Sequence, residues 1–252
     1  MTSESWQNLA LVAVLTFYII LISFFLINLN EINICENFAE DYCAFWSAGK
    51  LINQHGFTAI YDLDLLTQSQ QEVYPQANNS SFEPFAIMYL PVFMVPFQIL
   101  SKIHLPYSFL LWTLLNIIGL IIYLRFFTKQ MSGRSLTFRL ILLTTLSMPV
   151  FVNLLLGQVN IWLGICAGEF IRAALTGKPY RAGLWLGGWL LKPQLLVLII
   201  PFLLIQRSIK VLSGFALSAI AVLGFSYSMI HLEGFRSLIN ILFNASGGGV
   251  AS

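Results

Sequence analysis

The sequence predicts an all-α, polytopic integral membrane protein, and three observations carry that prediction. Of 252 residues, 58% are apolar and only 10% charged, with a mean hydropathy of +0.79, well outside the composition of soluble globular domains. Apolar runs recur at about 9–27, 85–101, 107–127, 138–156, 159–175, 182–206 and 211–230. The charges are segregated along the chain. Eight of the eleven acidic residues (Glu31, Glu36, Glu40, Asp41, Asp62, Asp64, Glu72 and Glu83) follow the first run, while most Lys and Arg sit in later connections. Basic loops stay in the cytoplasm, so the acidic loop is expected on the opposite side. The net charge of +2 is dispersed and lacks the clustered basic face that nucleic acid requires.

The first run, about 19 residues or roughly 28 Å of helix, is long enough to cross a bilayer. It has no basic residue before it and no small-residue cleavage site behind it, so it reads as a retained anchor rather than a signal. If 85–101 also crossed, the connection holding Arg125, Lys129, Arg134 and Arg139 would fall outside, against the positive-inside rule. That run carries Pro84, Pro91 and Pro96, each of which deletes a helix hydrogen bond that lipid cannot replace. It is expected to be interfacial or re-entrant, which leaves residues 28–106 as one outer loop.

From there 107–127 runs inward, 138–156 outward, and Gly157 to Asn160 lie at the outer face. The run 159–175 returns, placing Arg172, Lys178 and Arg181 inside. The run 182–206 is too short for two full crossings, yet it has basic residues at both ends and Lys192-Pro193 near its middle. The residue before a proline is pushed out of helix, so two short helices are expected to meet there, displaying Lys192 toward the outer half of the membrane. A last helix, 211–230, makes seven crossings. Residues 1–231 form the membrane module and 232–252 an outer Gly-rich tail that nothing in its composition orders.

Within the outer loop, Phe45, Ala48, Leu51 and Ile52 recur at helical spacing after Asp41, predicting an amphipathic helix on the membrane surface with Trp46 as an interface anchor. Gly56 punctuates it, and a second helix is expected from near Asp62 through Gln71. Cys35 and Cys43 share this loop and are candidates for a bridge if the compartment is oxidising. Cys166 reads as a core residue.

Asp41 has two readings: an N-cap for the surface helix, or a general base at the water–membrane boundary acting on an acceptor hydroxyl. Asp62 and Asp64 read as cap and solvated face. Lys192, inside an apolar run, is costly unless paired or hydrated; it either snorkels or meets an anionic group such as a lipid phosphate. Gln158 and Asn160 either line the same cavity or link helices. Glu169 and Arg172 have the spacing of a local i,i+3 pair. His55, His104 and His231 lack metal-ligand spacing, so no metal or other cofactor is expected. No glycine loop cradles a nucleotide phosphate, so a catalyst on the outer face needs another energised donor.

Several motifs resemble glycosyltransferase family 87, a GT-C type group that uses polyprenyl-phosphate sugars. They are Asp41-Tyr42, Phe45-Trp46-Ser47-Ala48-Gly49-Lys50, Ile60-Tyr61-Asp62, Leu105-Pro106 with Trp112 and Asn116, Gly157-Gln158-Val159-Asn160, and Ala182-Gly183 leading to Leu191-Lys192-Pro193-Gln194. The family's Tyr-Pro-Pro element is here Tyr89-Leu90-Pro91, and its further carboxy-terminal helices have no counterpart, so the chain reads as truncated relative to the family. The resemblance implies an inverting mannosyltransferase-like enzyme of the bacterial inner membrane with its active site facing outward. Asp41 is then the catalytic base, and Lys192, Gln158, Asn160 and Trp46 bind substrate. The implied partners are a polyprenyl-phosphate sugar donor, a lipid or glycan acceptor, and membrane lipids. A transporter or flippase built around the broken helix at Lys192-Pro193, or an inactive remnant, are the alternatives.

Overall fold

A computed structural model of the chain describes residues 34–74, 84–133 and 138–246, with isolated helical positions at 12, 16, 19 and 23. The expected anchor at 9–27 therefore lies, apart from those positions, outside the described residues. Among the described residues the regular structure is helical, with no strand. The segment 28–106, expected as the outer loop and called the outer module below, contributes α1 (Ile34–Asn37), α2 (Glu40–His55), a 3-10 turn (Phe57–Tyr61), α3 (Leu63–Gln71), a second 3-10 turn (Pro91–Met94) and α4 (Val95–Leu100). There follow α5 (Leu105–Ser132), α6 (Phe138–Thr145), α7 (Met148–Leu156), α8 (Asn160–Leu175) and α9 (Pro179–Leu186). Two 3-10 turns (Gly187–Leu191 and Pro193–Leu195), α10 (Leu196–Ile205) and α11 (Ile209–Ser246) complete the order. By length and composition α5 and Ile209–Phe243 are long and apolar enough to cross a membrane.

The proline-bearing run 85–101 makes no spanning helix: it has no regular structure to Leu90, then folds as the turn Pro91–Met94 and the six-residue α4, with Pro91 and Pro96 each in a first turn. The run 138–156, expected as one helix, is two. The chain breaks at Ser147, which is extended, and α7 starts with Pro149 in its first turn. A proline is tolerated at the start of a new helix but not inside an old one. At Lys192-Pro193 the expected bend is present, with Lys192 at φ −133° and ψ 81° between the two 3-10 turns.

Two expectations are corrected. Helix α2 is covered by protein on more than the one face its periodicity marked: Tyr42, Cys43, Ala44 and Phe45 are buried in succession, together with Ser47, Ala48, Gly49, Leu51 and Ile52. Four consecutive residues cover a full turn, so α2 is the central rod of the outer module. Small residues let its neighbours close in, and at Gly49 an added Cβ would run into the Phe97 carbonyl of α4. The second correction concerns the carboxy-terminal tail. Helix α11 is interrupted at His231 (φ 51°, ψ −166°) and continues to Ser246; Ile230, Leu238 and Ile241 are buried in the same core as Ile60, Tyr61 and Met94. Leu238, Ile241 and Leu242 already have helical spacing, which the glycines at 247–249 mask in a reading by composition. Residues 247–252 lie outside the described residues.

The bundle has two chemically different ends. Toward one, Tyr42 Oη of α2 is 2.5 Å from Ser108 Oγ near the start of α5. Trp112, one turn on, donates to the Gly157 carbonyl at 3.0 Å. Toward the other, Arg172 of α8 lies 5.2 Å from the centre of the Phe126 ring of α5 and is held bidentately by Glu169 at 2.8 and 2.6 Å. Trp112 and Phe126 are separated by about 21 Å of helix. Leu186, Leu203 and Val211 pack together, tying the later helices into one bundle.

Candidate active site

Helix α2 starts one residue before Asp41, at Glu40, with Ala39 as N-cap and no side-chain capping bond. Asp41 is therefore not a cap. It sits in the first turn, where the helix dipole favours a carboxylate, and its Oδ2 accepts a hydrogen bond from Gln158 Nε2 at 2.6 Å. Gln158 Oε1 in turn accepts from Asn160 Nδ2, and Asn160 Oδ1 accepts from Lys192 Nζ at 2.8 Å. Four residues expected from sequence, on three separate segments, thus form one relay from ammonium to carboxylate.

Its direction is dictated by its ends. An ammonium only donates and a carboxylate only accepts, so each amide must present its oxygen toward Lys192 and its NH2 toward Asp41. The two charges line one cavity of about 270 Å³, with Ala44, Phe45, Ala86, Ile87, Tyr89 and Leu242 among its walls. Among the described residues neither Asp41 nor Lys192 makes an ion pair; the pairs present are Lys50 with Glu72 and Glu169 with Arg172. The amides hold opposite charges in one small cavity without letting them neutralise each other. Each keeps capacity for a ligand: acceptor sites on the carboxylate, donors on the ammonium.

The turn carrying the amides is fixed from several sides. Gly157 ends α7 in the left-handed region (φ 70°), open to glycine at no steric cost, and a Cβ there would strike the Tyr42 side chain. Its carbonyl accepts from Trp112. The Gln158 N–H donates to the Asn153 carbonyl at 2.9 Å. Burial in the outer module, with the Asp41 carboxylate adding to it, pushes the Tyr89 phenol up to about 12, so Tyr89 stays protonated in the cavity wall at neutral pH.

The remaining sequence-predicted residues are placed as follows. Trp46 donates to the Ile103 carbonyl at 3.1 Å and is not among the residues lining the cavity, so the structure does not bring it to the other four. Asp62 caps α3, accepting from Asp64 N at 3.0 Å and Leu65 N at 3.2 Å. Cys35 and Cys43 form a disulfide that ties α1 to α2 two residues past Asp41. Sequence reasoning missed Leu242, which reaches the cavity only because α11 folds back, and Tyr89, whose only signal was its place before Leu90-Pro91.

A sequence model of glycosyltransferase family 87 matches residues 87–252. Gln158, Asn160 and Lys192 lie inside the matched stretch, and Asp41 lies before it. No curated protein and no solved structure matches the chain.

Proposed function

Because the chain belongs to glycosyltransferase family 87, we propose that it transfers a hexose, mannose by our reading, from a polyprenyl-phosphate donor to the hydroxyl of an extracytoplasmic lipid or glycan acceptor. The observation that carries this reading is the unpaired carboxylate and unpaired ammonium held in one cavity by the Gln158–Asn160 bridge. Lys192 takes the donor phosphate and Asp41 takes the acceptor hydroxyl. As the acceptor oxygen attacks the anomeric carbon, its proton passes to Asp41. The bond from that carbon to the phosphate oxygen breaks, its electron pair leaves with the polyprenyl phosphate, and attack opposite the leaving group inverts the configuration. Lys192 stabilises the charge growing on the leaving phosphate, a contribution greatest where water is excluded. The apolar wall of Phe45, Ala86, Ile87 and Leu242 suits the prenyl end of the donor.

The disulfide supports an oxidising, extracytoplasmic setting for the outer module, since such bonds persist there and are rare in reducing cytosol. In this reading the protein is a multi-pass resident of the bacterial inner membrane with the cavity facing outward.

The test is turnover of labelled polyprenyl-phosphate mannose with crude lipid acceptors by purified protein in lipid, parent against Asp41→Asn. Loss of a general base lowers the rate by about 10²- to 10⁴-fold, and donor binding by the variant should persist. An unchanged rate removes Asp41 from its role. Donor binding without turnover by the parent points to a remnant, and donor movement across the bilayer without transfer points to a flippase.

A further inference from the structure

Asn153 lies on α7, is 3% exposed, and does not line the cavity. A buried amide in an apolar helix costs free energy unless it is bonded. Its usual use in such helices is to link one to another. Here both of its oxygens are committed to the turn that follows α7. The backbone carbonyl accepts from Gln158 N at 2.9 Å, and the side-chain Oδ1 accepts from Asn160 N at 3.0 Å. Its Nδ2 has no hydrogen-bond partner among the described residues, so the side chain's single bond goes to the turn.

Gln158 and Asn160 are the two amides that bridge Asp41 and Lys192. A backbone bond to each sets where its side chain starts, and a bridge built from short amide contacts tolerates little displacement. On the proposed reading of the cavity as a transferase site, we infer that Asn153 is a positioning residue for the transfer reaction. It seats Gln158 and Asn160 together, and through them holds the base and the phosphate-binding ammonium at their working separation. The plainer role, satisfying an orphan N–H at the start of α8, uses the same bond but predicts no effect on chemistry beyond stability.

Two arms test this. Hydrogen exchange on the full protein in nanodiscs needs no substrate: the peptide covering 157–163 should exchange at least tenfold faster in Asn153→Leu than in the parent, and slow again in Asn153→Asp, which restores an acceptor at the same place. Unchanged exchange overturns the inference, whatever donor the protein uses. The second arm measures turnover of polyprenyl-phosphate mannose in a double-mutant cycle. Asn153→Leu should lower kcat at least tenfold in the parent and less than twofold in a Gln158→Ala, Asn160→Ala background, because contacting sites are not additive. A drop of equal size in both backgrounds, tracking loss of thermal stability, makes Asn153 a cap only. Should the leucine variant fail to fold, Asn153→Ala, which adds no bulk, takes its place in both arms. If the parent turns over no donor, the proposed transfer fails and the positioning role with it, while the exchange arm still decides whether the Asn153 side chain holds the turn.

Discussion

Gly157 shows how much of the site depends on what a residue lacks. Its φ of 70° costs a residue with a Cβ roughly 1–2 kcal/mol, and the Cβ itself would displace Tyr42 of the helix that carries Asp41. Gly157→Ala is expected to lower stability by at least that amount and to lower turnover by more than the unfolded fraction explains; thermal unfolding and steady-state rates on one preparation check it. The polar members of the site were legible as single residues. Gln158, Asn160 and Lys192 stand out because polar groups within apolar runs need a reason. Of the alternatives left open for Gln158 and Asn160, the structure shows linkage: they join the segments of Asp41 and Lys192 by hydrogen bonds and are not among the residues that line the cavity. Asp41 was legible as a candidate but not as a non-cap, because moving a helix start by two residues exchanges those roles.

Among the elements, the outer module was readable where punctuation is local. Asp62 caps α3, Gly56 ends α2 at φ 87°, and prolines break the runs at Pro91, Pro96 and Pro193. What the periodicity of α2 did not reveal is that it is covered on most sides, because burial depends on what folds over it. That burial has a measurable consequence in four tyrosines. Desolvation raises the phenols of Tyr42, Tyr61 and Tyr74 well above the ordinary value, and Tyr89 to about 12. Between pH 10 and about 12 the unfolded chain gives up protons that the folded one keeps; the folded state binds more, so stability falls as pH rises. The full contribution is present below pH 10 and is lost as pH climbs through about 12. Thermal unfolding should fall across that window, and Tyr89→Phe should lessen the fall.

For the molecule as a whole, Arg125, Lys129, Arg172, Lys178 and Arg181 belong to one side of the bundle in the charge-based topology, and Asp41, Gln158, Asn160 and Lys192 to the other. The hydrogen bonds joining the latter four bring them to one place in the bundle. Single cysteines at positions 41 and 129, in a background with Cys166 replaced, should label from opposite faces of sealed vesicles: 41 from the extracytoplasmic side, 129 only after permeabilisation. Labelling of 41 from the cytoplasmic side would end the proposed transfer. Asp41 was singled out by the family resemblance, while composition and proline placement by themselves determined the all-helical class, the broken run at 85–101 and the bend at Lys192. These are properties of individual segments in a membrane solvent. Only tertiary structure decided that α11 turns at His231 and brings Leu242 to the cavity, that Trp46 stays out of it, and that two amides hold a carboxylate and an ammonium apart. Those outcomes depend on contacts between residues far apart in the chain, 117 positions for Asp41 and Gln158, and nothing in a local pattern specifies them.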